Sequence, residues 1–207
     1  MVYEYLKDPA EIYRRSFAAI EKEADFSSLP LSLHRVARRM VHACAMPEIV
    51  NNIAWNGDPI DAAKQALERG APIIADARMV LSGLITRYFE KCSLHCILDD
   101  KQLAGIAARE QTTLSSSGMG MWRDRWENAI ILIGNAPTAL FRLLEELEEG
   151  AAKPAVIFAF PIGFIGAAES KDALMQAKID IPFLTLRGKF GGSALAAAAI
   201  NALRETQ

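Results

Sequence analysis

The sequence predicts an α/β fold, a three-layer α/β/α arrangement with a mostly parallel sheet, preceded by N-terminal helices. Three observations carry that expectation. The first third of the chain reads as helices with opening and stopping signals. Short apolar segments then alternate with helical stretches, and parallel strands need crossover connections of that kind. Glycine-bearing turns stand at the ends of the later apolar segments.

The elements follow in order. Asp8, Pro9 and Glu11 in DPAE give an N-cap, a proline at the first helical position and a capping-box glutamate, opening a helix that runs through about Ala24. A second helix begins near Pro30 in SSLPLSLHRVARRMVHACAM. A third covers DPIDAAKQALERG, where Asp58 and Pro59 repeat the opening signal and Gly70 is the stop. Buried strands are expected at PIIAD, SLHCILD, NAIILIG, PAVIFAF and FLTLR, with helices at PTALFRLLEELEEG and SALAAAAINALRE. In parallel sheets the ligand crevice lies beyond the carboxyl ends of the strands. Three glycine turns fall there, at 133–138, 161–166 and 188–193. None of them matches a dinucleotide fingerprint or a P-loop, so each reads either as a tight strand-to-helix turn or as room for a large flat ligand.

With 207 residues, 51% of them hydrophobic, the chain buries a substantial core and is expected to form one domain over 1–207. A net charge of -2 excludes a global field that would draw the protein to nucleic acid or an anionic membrane, so neither is expected as a partner. The start, MVYEYLKDPAE, lacks an apolar signal core, and the longest apolar run, AVIFAFPIGFIGAA, is broken by Pro161. A cytoplasmic location is the expectation. Three cysteines form no even disulfide framework, which fits a reducing compartment. Cys92, His95 and Cys96 in KCSLHC suggest a metal cluster, but a strand there places both thiols on one face and the imidazole on the other, so no metal site is expected.

The second helix has two sides. Leu33, Val36, Ala37, Met40, Val41 and Cys44 gather on an apolar face, while Arg35, Arg38, Arg39 and His42, at i, i+3, i+4 and i+7, gather opposite. His42 is therefore not a core histidine. A basic stripe is commonly just a solvated face, but these four groups repel one another, and no Asp or Glu between Leu31 and Pro47 relieves them. The stripe calls for an anion. Without one, like charges press His42 toward neutrality; a bound polycarboxylate favours the imidazolium near neutral pH. Two further residues are candidates with ordinary explanations beside them. Ser16, in IYRRSF, also fits a helix-face serine bonding back to its own chain. Lys171, in GAAESKDAL, sits at an expected helix start where Ser170 is the cap, and such a lysine is more often solvated than functional.

The segments IYRRSF, RMVHAC, GAPIIAD, IGNAPTAL, PIGFIGAAESKDAL and GKFGGSALAAAAINAL, in that order, make the chain resemble the precorrin-8X methylmutase family of corrin biosynthesis, together with its cobalt-precorrin-8 counterpart. The resemblance implies an isomerase that moves a methyl group between adjacent carbons of one pyrrole-derived ring, with a tetrapyrrole substrate (precorrin-8X or cobalt-precorrin-8), no redox cofactor and a homodimeric state. It implies His42 as proton donor and acceptor, with Ser16 and Arg39 contacting the substrate; Lys171 is expected beside them as a further substrate-binding residue. One departure stands out: where the family leads one to expect Thr-Arg-Ser, this chain reads Thr-Leu-Ser at 113–115. Two rivals are a nucleotide-dependent transferase, which would need a phosphate cradle, and a non-catalytic corrinoid binder, which loss of His42 would have favoured.

Overall fold

The structure, a computed structural model, describes residues 2–204. Two helices come first, α1 (Pro9–Glu23) and α2 (Leu31–Cys44). Strand β1 (Ile53–Asn56) and helix α3 (Pro59–Glu68) follow. Next come β2 (Ile73–Ala75), α4 (Arg78–Ser82), β3 (Leu94–Cys96), α5 (Leu103–Glu110) and α6 (Leu114–Met121). The chain continues through β4 (Ile130–Ile133), α7 (Pro137–Glu148), β5 (Val156–Ala159), α8 (Ala167–Gln176), β6 (Phe183–Leu186) and α9 (Ser193–Asn201). All five expected strands and the five expected helices are present; Glu205, the last residue of the final expected stretch, lies outside the described residues.

The sheet order is β1-β6-β5-β4-β2-β3, parallel throughout except for β1, which runs antiparallel to β6. That edge strand was not expected from the sequence. Its four residues, Ile-Ala-Trp-Asn, lie between helical segments and carry only the weak signal of Ile53 and Trp55 bounded by Asn-Asn and Asn-Gly.

Strand alternation divides the core into two layers. Ile73, Ile130, Leu132, Val156, Phe158 and Leu184 face α2, α3 and α9, whereas Ile74, Ile131, Ile133, Ile157 and Phe183 face α6, α7 and α8. With helices on both faces every central strand is buried on both sides, which is why these strands read as unbroken apolar runs. Of the apolar face expected on α2, Leu33, Val36, Ala37, Met40 and Val41 are buried and Cys44 is half-buried. Each such burial contributes on the order of 1.5–3 kcal/mol for the larger side chains.

Two local expectations need correction. Asp8 caps α1 by accepting from the Ala10 N–H at 2.9 Å, but Glu11 is directed to Arg14 and Arg15, each at 2.7 Å, rather than completing a capping box. Two guanidinium partners are stronger attractors for a carboxylate than one backbone N–H, and they hold the Glu11 pKa down at about 2. Ser170 does not cap α8, which begins three residues earlier, at Ala167, after Gly166 at φ +79; Ser170 is buried and its hydroxyl donates to the Ala167 carbonyl at 3.2 Å.

Candidate active site

The outward face of α2 meets α1 on one side and α9 on the other. A groove of about 320 Å³ is lined by Arg39, His42, Ala43, Gly83, Ala194, Ala197, Ala198 and Asn201. A smaller cleft of about 170 Å³ on the α1 side is lined by Ser16, Ala19, Ile20, Glu23, Val41, His42, Ala45 and Pro47. His42 is common to both. It stands half-buried in the last turn of α2, where the negative end of the helix dipole favours an imidazolium.

The structure brings Ser16 and His42 together: the serine Oγ lies 2.9 Å from His42 Nδ1. In the imidazolium both ring nitrogens are donors, so Nδ1–H then donates to Ser16 and Nε2, on the opposite edge of the ring, is directed away from that contact. A neutral ring with its proton on Nε2 instead accepts from the Ser16 hydroxyl. One serine thus keeps a hydrogen bond to the ring in both protonation states, a suitable partner for a group that gives and retrieves a proton.

The other basic residues of the stripe separate. Arg38 finds Glu21 of α1 at 2.7 Å, an ion pair from a neighbouring helix that the pattern of α2 alone could not reveal. Arg39 reaches into the groove with its guanidinium 5.6 Å from the centroid of the Tyr13 ring. A guanidinium in this place offers a planar fork to a carboxylate.

At the carboxyl ends of the strands the expected glycine turns are sewn to one another. The chain's connections reverse direction between β2 and β4, the place where an open α/β sheet usually opens a ligand crevice. Here Asp76, just after β2, ties that strand end to the loop after β4. Its fully buried carboxylate accepts from the N–H groups of Gly134, Asn135 and Ala136 at 2.7–2.9 Å. Burial pushes the Asp76 pKa up, opposed by these three donors. No local sequence pattern marks Asp76, because its partners lie about sixty residues away.

Lys171 is fully buried, contrary to the expectation of a solvated lysine. It lies on the inner side of α8, and its Nζ donates to the Phe190 carbonyl at 2.7 Å, across to the turn that begins α9. Removal from water lowers its pKa to about 8. Gly163 N–H to Lys189 O at 3.2 Å and Gly192 N–H to Phe160 O at 2.8 Å tie the same turn to the one after β5. Leu114 opens α6, 48% exposed, after Thr113, whose hydroxyl caps the helix and meets Thr138 Oγ1 at 2.7 Å.

The cysteine–histidine motif does not converge. Cys92 precedes β3, the His95 ring lies 5.1 Å from that of Trp122, and Cys96 is buried. Among the described residues no three His, Cys, Asp or Glu side chains are grouped to hold a metal ion, and no helix is long and apolar enough to cross a membrane.

Fold and site together define an α/β protein that presents one hydroxyl-supported imidazole and one arginine to an open groove, an arrangement suited to moving a proton on an anionic ligand. The family model for precorrin-8X methylmutase matches residues 11–206. The chain is 42% identical over 201 residues to the precorrin-8X methylmutase of Pseudomonas aeruginosa, covering 97% of each chain. It is 44% identical over 202 residues to that of a Sinorhizobium species, covering 97% of this chain and 96% of the relative. Identity to the cobalt-precorrin-8 methylmutase of Leptospira interrogans is 33%, over 93% of this chain and 91% of the relative. The solved precorrin-8X methyl mutase of Thermus thermophilus superposes with a TM-score of 0.84 at 31% identity, over 94% of each chain. The chain belongs to the precorrin-8X methylmutase family.

Proposed function

We propose that this protein is an isomerase of cobalamin biosynthesis that converts precorrin-8X to hydrogenobyrinate by migration of one methyl group, with His42 as the acid that starts the step and the base that ends it. The observation that carries the reading is the hydrogen bond between Ser16 Oγ and His42 Nδ1 beside a groove that also holds Arg39. Protonation of the conjugated macrocycle by His42 makes the carbon next to the methyl-bearing one electron-poor. The methyl group migrates with its bonding pair, and loss of a proton back to His42 restores neutrality. Nothing is oxidised or reduced. General acid catalysis of this kind contributes ~10²–10⁴ in rate, and clamping a rigid ring supplies much of the remainder.

Arg39 takes a peripheral carboxylate of the substrate, and Ser16 borders the ligand while orienting His42. Lys171, buried beneath the turn at 188–193, contributes to substrate binding through that turn. The metal-free substrate is favoured over cobalt-precorrin-8 by the higher identity to relatives named for precorrin-8X, 42–44% against 33%. The protein acts as a single cytoplasmic domain over 1–207, in a homodimer.

The test mixes purified protein with precorrin-8X and, separately, with cobalt-precorrin-8, and follows the visible spectrum of each. His42→Ala is expected to bind precorrin-8X and to convert it at least ~100-fold more slowly. Unchanged turnover would remove His42 from the mechanism. Binding without conversion by the unaltered protein would make it a corrinoid carrier instead.

A further inference from the structure

Three residues on one face of α1 converge on a single imidazole. Tyr13, Ser16 and Phe17, at i, i+3 and i+4, all lie against His42, although twenty-five or more residues separate them from it in sequence. The Phe17 and His42 rings stack with centroids 5.1 Å apart and planes only 12° from parallel. Tyr13 approaches the same imidazole at 5.5 Å and 52°, and lies 4.9 Å from Phe17. The ring of Tyr13 in turn carries the Arg39 guanidinium at 5.6 Å.

A hydrogen bond at Nδ1 fixes one edge of an imidazole but leaves it able to swing about that contact. A second ring lying parallel to it removes the swing, because tilting the imidazole drives it into the neighbour. The stack also acts on charge. The faces of Phe and Tyr are electron-rich, and a cation within ~6 Å of such a face is stabilised. An imidazolium at His42 therefore gains from the rings of Phe17 and Tyr13. Of the charged groups near it, the Arg39 guanidinium on its own helix opposes the charge, whereas the Glu23 carboxylate of α1, bordering the smaller cleft, favours it. Among the described residues, the groove side adds to Arg39 the uncharged groups Gly83, Ala194, Ala197, Ala198 and Asn201.

We propose that Phe17, assisted by Tyr13, is a positioning residue of the methyl-migration reaction, holding the plane of the His42 ring and favouring its protonated form. The inference rests on the function proposed above, but its first readout does not need the substrate. In the isotope-labelled protein the His42 imidazole, assigned by its loss in His42→Ala, is titrated by NMR. Phe17→Leu is expected to lower the midpoint by about half a pH unit, the size of a modest cation–π contribution. An acid that loses its proton at lower pH loses activity at lower pH. The alkaline limb of the kcat profile should therefore move down with the midpoint, while kcat falls about 10-fold and KM stays within about 3-fold. Phe17→Tyr, which keeps the ring, should restore both midpoint and kcat. Should Phe17→Leu fail to fold, Tyr13→Leu, at a position 38% exposed, is expected to shift the midpoint in the same direction by a smaller amount. A midpoint and kcat unchanged in Phe17→Leu, or a defect that Phe17→Tyr does not repair, would overturn the proposal. Unaltered protein that never converts precorrin-8X would defeat the proposed activity, whereas the titration separately decides whether the stack acts on the ring.

Discussion

At Lys171 burial and charge act against each other. The side chain lies entirely out of water with its ammonium on the Phe190 carbonyl, and its pKa falls from 10.5 to about 8. Below about pH 8 the lysine is charged in both folded and unfolded chains, so folding bears the full cost of burying the charge. Between about 8 and 10.5 the folded protein has released that proton while the unfolded chain still holds it. The unfolded state then binds more protons, and stability rises with pH across that window. Lys171→Met lacks this contribution. The difference in unfolding free energy between the unaltered protein and Lys171→Met, measured in urea from pH 7 to 10.5, should move in favour of the unaltered protein by about 1–3 kcal/mol. A difference that stays flat would mean that the ammonium is solvated after all. Asp76 is the acidic counterpart, a carboxylate kept in the core by three backbone donors.

Among the elements, α9 depends most on its surroundings. Its alanines let α2 and the Gly83 turn approach closely, and Asn201 near its end donates to the Gly83 carbonyl at 2.9 Å while accepting from the Ile85 N–H at 3.0 Å. Its start depends on Gly191. A Cβ at that position would overlap the backbone carbonyl oxygens of Phe160 and Pro161, and neither can rotate away as a side chain would. The turns after β5 and β6 would have to separate, weakening the Gly192 N–H to Phe160 O bond and the Lys171 contact with Phe190. Gly191→Ala is accordingly expected to cost about 2–4 kcal/mol of stability, read from a lowered urea midpoint with unchanged slope. A loss below about 0.5 kcal/mol would show that the turns can part freely. In contrast, α1 buries only Ile20 and is joined to α2 by surface contacts, including the Arg38–Glu21 pair, worth at most about 1 kcal/mol.

For the whole molecule, the groove beside His42, about 320 Å³ and open to solvent, lies at the small end of the range for ligand sites. Large apolar side chains remain in water elsewhere, with Phe164 87% and Ile165 91% exposed on consecutive positions of the turn after β5. Scattered exposure of this kind is ordinary; in the proposed homodimer, such a pair at a turn tip would be one place for a second subunit to pack. Sedimentation at micromolar concentration is expected to give twice the 22.7 kDa chain mass. A stable monomer that still converts precorrin-8X would show that the groove needs no second subunit.

Five strands, the helix openings at Asp8 and Asp58 and the two-sided character of α2 were legible because each is written in nearest-neighbour periodicity: apolar runs, caps, and spacings of three and four. The same spacing placed His42 off the core side and beside Arg39. The edge strand β1 was not legible, since four residues carry too short a pattern and only pairing with β6 makes them a strand. Tertiary structure alone decided that Ser16 meets His42, that Phe17 stacks on it, that Glu21 relieves Arg38 and that Lys171 is buried. Each of those contacts joins positions far apart along the chain. Local periodicity fixes the direction a side chain takes from its own helix, whereas its partner is set by how the helices pack across the sheet.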